Sequence, residues 1–151
     1  MTTEIDIQAY VAISEVKARY CRLMDTKDWA GYAELFTDDY ELDTSYAGGP
    51  PPIRGREAAI AAVRSWIETA KTAHQVHSPE MKIEGNVAHV IWAMQDRVIW
   101  GADRRPGPDM GGHVGYGHYH ERYERKNGQW RIAALRLTRL IEDFYPPAPN
   151  T

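Results

Sequence analysis

Apolar residues recur at Ala9, Ile13, Val16, Tyr20 and Leu23, a 4-3-4-3 spacing that draws one stripe along an amphipathic helix. Asp6 is placed to cap its start, and Met24-Asp25-Thr26-Lys27 ends the run. Asp28 opens a second, shorter helix, Trp29 to Phe36, which would bury Trp29, Tyr32 and Leu35 or Phe36. After Thr37-Asp38-Asp39, the alternation of Tyr40, Leu42 and Thr44 reads as a strand. Residues 45–55 contain Gly48-Gly49-Pro50-Pro51-Pro52 and form a loop. Arg56 to about Thr72 is rich in Ala, with Ile60, Val63 and Ile67 in register, and predicts a third helix.

Beyond that helix the period changes to two. His74 to Ile83 and Val87 to Trp100 read as strands joined at Glu84-Gly85-Asn86. Gly101 to Gly112 is a long loop. Val114 to Arg125 and Trp130 to Leu140 are strands joined by Asn127-Gly128, the strongest short-range hairpin signal. Helices first and hairpin-linked strands afterwards predict an α+β fold, in which three N-terminal helices cover a mostly antiparallel sheet. A sheet bent strongly around those helices would leave a conical pocket. One domain over residues 1–145, followed by a Pro-rich tail at 146–151, accounts for the whole chain.

The composition narrows what such a pocket would hold. The chain has 151 residues, with 43% apolar and 26% charged, which suits one folded domain rather than a disordered chain. Net charge is −3 with both signs mixed, leaving no footprint for nucleic acid. No apolar run approaches membrane-spanning length, and the start MTTEIDIQAY lacks the form of a signal peptide. The single cysteine, Cys21, excludes an internal disulfide and suits a reducing compartment, so a cytoplasmic location is expected. Nine Tyr and five Trp stand against two Phe, and six His accompany them. Buried Tyr and Trp must find polar partners, so the interior is expected to be aromatic and partly polar, with an oligomer interface as the plainer explanation.

Several residues carry chemical potential. Asp25 would stand at the C-terminal end of the first helix, where the macrodipole disfavours a carboxylate by roughly a few tenths of a kcal/mol. It reads either as a turn former or as the partner of a cation or a histidine. His74 follows the third helix and would point along the sheet towards its open end, while His77 faces oppositely along a strand. Val90, Trp92, Met94 and Asp96 share one strand face, which looks core-facing and ends in an acid at the rim. Tyr116, His118, His120, Arg122 and Glu124 share a face of the following strand. Gly112, His118, His120 and Glu124 also reproduce the front half of the cupin metal motif. The closing glycine is misplaced, however, and no second motif follows, so no metal site is assigned.

Ala18-Arg19-Tyr20-Cys21-Arg22-Leu23-Met24-Asp25, then Trp29 to Phe36 and Thr37-Asp38-Asp39, resembles the opening of SnoaL-like domains of the NTF2-like superfamily. The Thr72-Ala73-His74 junction, the run Ile83 to Ala88 and the hairpin Arg122 to Ile132 continue that likeness in the same order. The resemblance implies an α+β cone with a deep pocket, and homodimers or homotrimers packed through the sheet. The nearest likeness is to the group of scytalone dehydratase, bile-acid 7α-dehydratase and hexachlorocyclohexane dehydrochlorinase. Their His-Asp dyad maps here onto Asp25 and His74, with Tyr20 on the pocket side of the helix. Ser78 stands where many relatives carry Asn four residues after the dyad histidine.

The resemblance implies a cofactor-independent lyase or isomerase that abstracts a proton from a small cyclic or aromatic hydroxy or keto compound. Tyr20, Tyr46 or His118 would polarise the carbonyl oxygen. Trp66 and Trp92 would wall the ring, and Asp96 and His120 would complete the substrate contacts. With one cysteine and no glycine-rich phosphate loop, nothing supports thiol or nucleotide chemistry. Two other classes stay open: a non-catalytic ligand-binding or accessory subunit, and a metal-dependent oxygenase using His118, His120 and a carboxylate.

Overall fold

The computed structural model describes residues 6–149. Residues 1–5 and the last two positions of the expected Pro-rich tail lie outside the described residues; positions 146–149 carry no regular structure. Helix α1 runs Ile7–Asp25, and the carboxylate of its N-cap Asp6 accepts from the Ala9 amide at 2.9 Å. Ala9, Ile13, Val16, Tyr20 and Leu23 are all buried, as the stripe predicts. Asp28 caps α2 by accepting from the Gly31 amide, but α2 is only Trp29–Ala33. Its expected last turn becomes the start of strand β1, Phe36–Asp43, because Phe36 pairs with Ile132. The loop that follows contains a 3-10 turn at Ser45–Ala47 and the two-residue strand β2, Ile53–Arg54.

Helix α3 spans Arg56–Ile67, shorter than the Ala-rich pattern suggests. The chain instead extends into β3, Lys71–Val76, which pairs antiparallel with the far half of β5, Val87–Ile99. The single strand expected from His74 to Ile83 is two strands. It breaks at His77-Ser78-Pro79, where proline has no amide to give the ladder, and resumes as β4, Glu80–Glu84. Strands β6, Gly112–Lys126, and β7, Gln129–Tyr145, form the hairpin expected at Asn127-Gly128. Both turn residues have positive φ, 51° and 74°, as a type I′ turn requires. The sheet order is β2-β1-β7-β6-β5-β3, with β4 also on β5. Among the described residues only the β1–β7 pairing is parallel, so the sheet is mixed and mostly antiparallel. Among the described residues no helix is long and apolar enough to cross a membrane.

Two register shifts bend the long β6–β7 hairpin. At the one between Tyr116 and Gly117, Tyr116 opposes Ile141 and Gly117 opposes Arg139, which leaves Leu140 unpaired and 71% exposed. The core fills the concave side with Ile13 and Tyr20 of α1, Tyr32, Phe36 and Tyr40, and Val90, Trp92 and Tyr123 of the sheet. Rings of Tyr20, Tyr32, Phe36 and Tyr40 meet at 4.3–6.1 Å between centroids, so five of the buried aromatic residues expected here are indeed tyrosines: Tyr20, Tyr32, Tyr40, Tyr119 and Tyr123.

Two buried ion pairs pin helices and strands together. Lys17 is fully buried, pairs with Glu121 and lies 3.7 Å from the ring centroids of both Tyr20 and Tyr119. The second Glu121 oxygen accepts from the Tyr123 hydroxyl. Asp96 of β5 receives both terminal nitrogens of Arg139 of β7, at 2.6 and 2.9 Å. That fork reaches across β6 at Gly115, where a Cβ would stand 2.2 Å from the guanidinium and 2.6 Å from the carboxylate.

Removing one member of a buried pair strands the other charge. Glu121→Ala is therefore expected to lower unfolding stability by about 3–5 kcal/mol in urea titration, with most of it recovered by joint Lys17→Met and Glu121→Leu replacement. Burial pushes the Asp96 carboxyl upward, but the hydrogen bonds of Arg139 and His113 and the guanidinium charge outweigh it and hold it below the ordinary range. In the unfolded chain the group titrates near ~3.9. Its contribution is thus complete above that pH and is lost as pH falls towards the depressed folded value. Asp96→Asn, already weakened at neutral pH, is expected to show a flatter loss of stability below about pH 4. An acid limb as steep as the wild type's would contradict this account.

Candidate active site

The end of α1 and strand β3 meet at Asp25. Strand alternation puts Thr72, His74 and Val76 on one side of β3, towards the helix, and His77 on the exposed other side. Asp25 accepts three hydrogen bonds from this strand: the Thr72 hydroxyl at 2.8 Å, the His74 amide at 2.8 Å and His74 Nδ1 at 2.7 Å. A carboxylate can only accept, so Nδ1 carries the proton and Nε2 of the neutral ring is the free lone pair. The His74 side chain is 8% exposed and Asp25 21%. The three donors answer the unfavourable helix dipole at Asp25.

His74 lines a cavity of about 660 Å³. Much of its lining is apolar, including Met24, Leu42, Val98, Trp100, Leu135 and Phe144. Polar groups stand among them. Asp96 Oδ2 lies 3.8 Å from His74 Nε2 and 3.4 Å from His113 Nε2, so one carboxylate stands between two imidazoles. Among the described residues His113 Nδ1 is buried without a hydrogen-bond partner, 3.7 Å from Glu142, and its ring is flanked by Trp100 and Phe144. Tyr20 and Tyr119 add two buried phenols, whose proton affinity burial raises well above the usual value, so both remain hydrogen-bond donors.

Of the residues singled out from sequence, Asp25 and His74 meet, and Tyr20, Asp96 and Trp66 line the same cavity, Trp66 with 40% of its surface exposed. Four do not reach it. Trp92 is on the inward face of β5 but is packed into the core, 4% exposed. Tyr46 turns outward, 65% exposed beneath the Arg136 guanidinium, although Ala47 to Pro50 beside it form part of the wall. His118 and His120 sit on the outer side of β6, because the inward set is His113, Gly115, Gly117, Tyr119, Glu121 and Tyr123. There His120 Nε2 meets Thr138 at 3.1 Å, and partial burial, Arg136 and His118 lower its proton affinity. The half-motif His118, His120 and Glu124 therefore faces away from the cavity. Among the described residues no three His, Cys, Asp or Glu side chains are gathered as a metal would need.

His113, Arg139, Tyr119 and Glu142 are cavity residues that pattern reading passes over. His113 falls one residue before the strand start expected at Val114; a start at Gly112 would have put it on the Tyr119 face. Arg139 and Glu142 share the inward side only because the unpaired Leu140 resets the alternation.

Residues 6–136 match the SnoaL-like domain. A probable cyclase, FGR4, of Gibberella zeae is 25% identical over 142 residues, covering 88% of this chain and 92% of that protein. A putative scytalone dehydratase structure from Novosphingobium aromaticivorans superposes with a TM-score of 0.77 at 19% identity, covering 97% of each chain. The hexachlorocyclohexane dehydrochlorinase LinA-type3 of Novosphingobium barchaimii does so with a TM-score of 0.73 at 17% identity, covering 95% of this chain and 93% of that one. Three helices on a curved, mostly antiparallel sheet are the NTF2-like cone expected from the sequence, and the chain belongs to the SnoaL-like domain family.

Proposed function

We propose that this protein is a cofactor-independent lyase or isomerase acting on a small cyclic or aromatic hydroxy or keto compound, with His74 as general base. One observation carries the reading: a 2.7 Å Asp25–His74 contact in the wall of a largely apolar cavity. Asp25 fixes the ring tautomer and compensates the imidazolium that forms during the reaction. Nε2 removes a proton from a carbon next to a carbonyl. The electron pair passes into the carbonyl as an enolate, and the Tyr20 phenol and Arg139 are the donors available to its oxygen.

The intermediate has two exits. Return of the proton from His74 to another carbon completes an isomerisation. Collapse of the enolate with transfer of that proton to a departing β-hydroxyl yields a conjugated double bond and water. Both paths restore the neutral imidazole and consume no co-reactant. The probable-cyclase relative and the fold shared with the dehydratase and dehydrochlorinase structures are consistent with chemistry of this class.

A panel of cyclic β-hydroxy ketones, followed by enone absorbance and by exchange of the α-hydrogen in D2O, tests the assignment. His74→Ala is expected to lower kcat/KM by about 10²–10⁴ with unchanged circular dichroism. Asp25→Asn should lose a similar order of activity, because an amide can present a donor to Nδ1 and select the wrong tautomer. Turnover by His74→Ala at the wild-type rate would overturn the proposal.

A further inference from the structure

Two residues beyond Asp25, Lys27 adopts φ of 62°, the left-handed region that a residue with a Cβ enters at a cost of about 1–2 kcal/mol. Its amide bonds Met24 O at 3.2 Å, and the next amide bonds Leu23 O at 2.9 Å, so the chain reverses tightly off the end of α1. Glycine or asparagine would suit that conformation better. The half-buried lysine instead directs its ammonium back to Thr72 Oγ1 at 2.8 Å.

That contact fixes the direction of every proton in the chain of bonds. An ammonium has no acceptor, so the Thr72 oxygen must accept from Lys27. The single hydroxyl hydrogen of Thr72 is then committed to Asp25 Oδ1, at 2.8 Å. Oδ1 is also the oxygen facing His74 Nδ1. Two donors thus draw on one carboxylate oxygen, and a cation stands behind one of them.

We infer that Lys27 and Thr72 form a positioning relay that draws negative charge away from the His74 side of Asp25, and so sets the pH at which His74 Nε2 accepts a proton. The inference rests on the reading of His74 as the base. The other groups facing His74 are Asp96 from β5, with Arg139 of β7 and His113 of β6 held on that carboxylate. None of these touches Oδ1, so the relay is separable from them.

Titration of the His74 ring by NMR of the full chain, labelled at histidine, needs no substrate. Thr72→Val removes the hydroxyl donor and is expected to raise the His74 midpoint by about half a unit to one unit. Thr72→Ser keeps the donor and should restore the wild-type value. Lys27→Gly relieves the backbone strain while deleting the ammonium; it should leave the protein at least as stable, yet move the His74 midpoint upward. His74 curves in Thr72→Val and Lys27→Gly that overlay the wild type would overturn the relay. A loss of the lyase reading alone would appear as unaltered turnover in His74→Ala and would leave these titration shifts in place.

Discussion

A carboxylate at the negative end of a helix dipole organises this molecule. Asp25 is the last residue of α1, where unmatched carbonyls already crowd the local field. Nothing in the helix can satisfy it. The donors come from β3, and two of the three are side chains two residues apart on one strand face, bracketing an amide of the same strand. That arrangement demands an extended backbone at Lys71–Val76, antiparallel to β5, with Thr72 and His74 turned towards α1. A helix continuing to Thr72 would have scattered the three donors around its axis. The electrostatic requirement of one acid and the ladder partner of one strand therefore point to the same local geometry.

Charge is managed differently in the two halves of the concave interior. Beneath the helices, Lys17 and Glu121 neutralise each other inside a shell of tyrosine rings, sealed from the cavity wall by Tyr20 and Tyr119. At the open end, Asp96 and Arg139 neutralise each other within the wall itself. A pair already matched leaves little net field at the imidazoles of His74 and His113 beside it. Gly115 is what allows this. With no side chain on β6 at that point, the guanidinium crosses the middle strand and meets Asp96 directly.

Much of the frame was legible because it rests on local rules. The α1 stripe, the Asp6 and Asp28 caps and the Asn127-Gly128 turn are short-range patterns, and each occurs where the pattern predicts. The Asp25–His74 pair became legible through family likeness; the residues alone left a turn acid and a junction histidine. What escaped depends on long-range register. The strands β5 and β6 are joined by a twelve-residue loop, Trp100 to Gly111, so no turn geometry sets which β6 residue opposes Asp96. Both β6 faces carry polar and aromatic residues, and alternation could not say that His113 and Tyr119, rather than His118 and His120, point inward. Inward-facing is also not the same as cavity-lining: on one β5 face, Trp92 is core while Asp96 and Val98 are wall.

The division of labour follows from these placements. The groups that would move a proton stand on α1, β3, β5, β6 and β7, tied by short hydrogen bonds and buried pairs. Much of the remaining wall comes from the loops around Thr44 to Pro50 and from Trp100 to Met110, segments that share no ladder with the dyad. Pro50, Pro106 and Met110 give these loops a mostly apolar contribution, to which Arg104 and Thr44 add the polar groups. On the proposed reading, proton transfer is therefore held on α1 and the strands, and much of the cavity's shape on the loops. Changes in the loops can reshape the cavity without moving the Asp25–His74 contact, whereas a one-residue slip of β3 would turn both Thr72 and His74 away from the acid and leave Asp25 at a helix end with no partner.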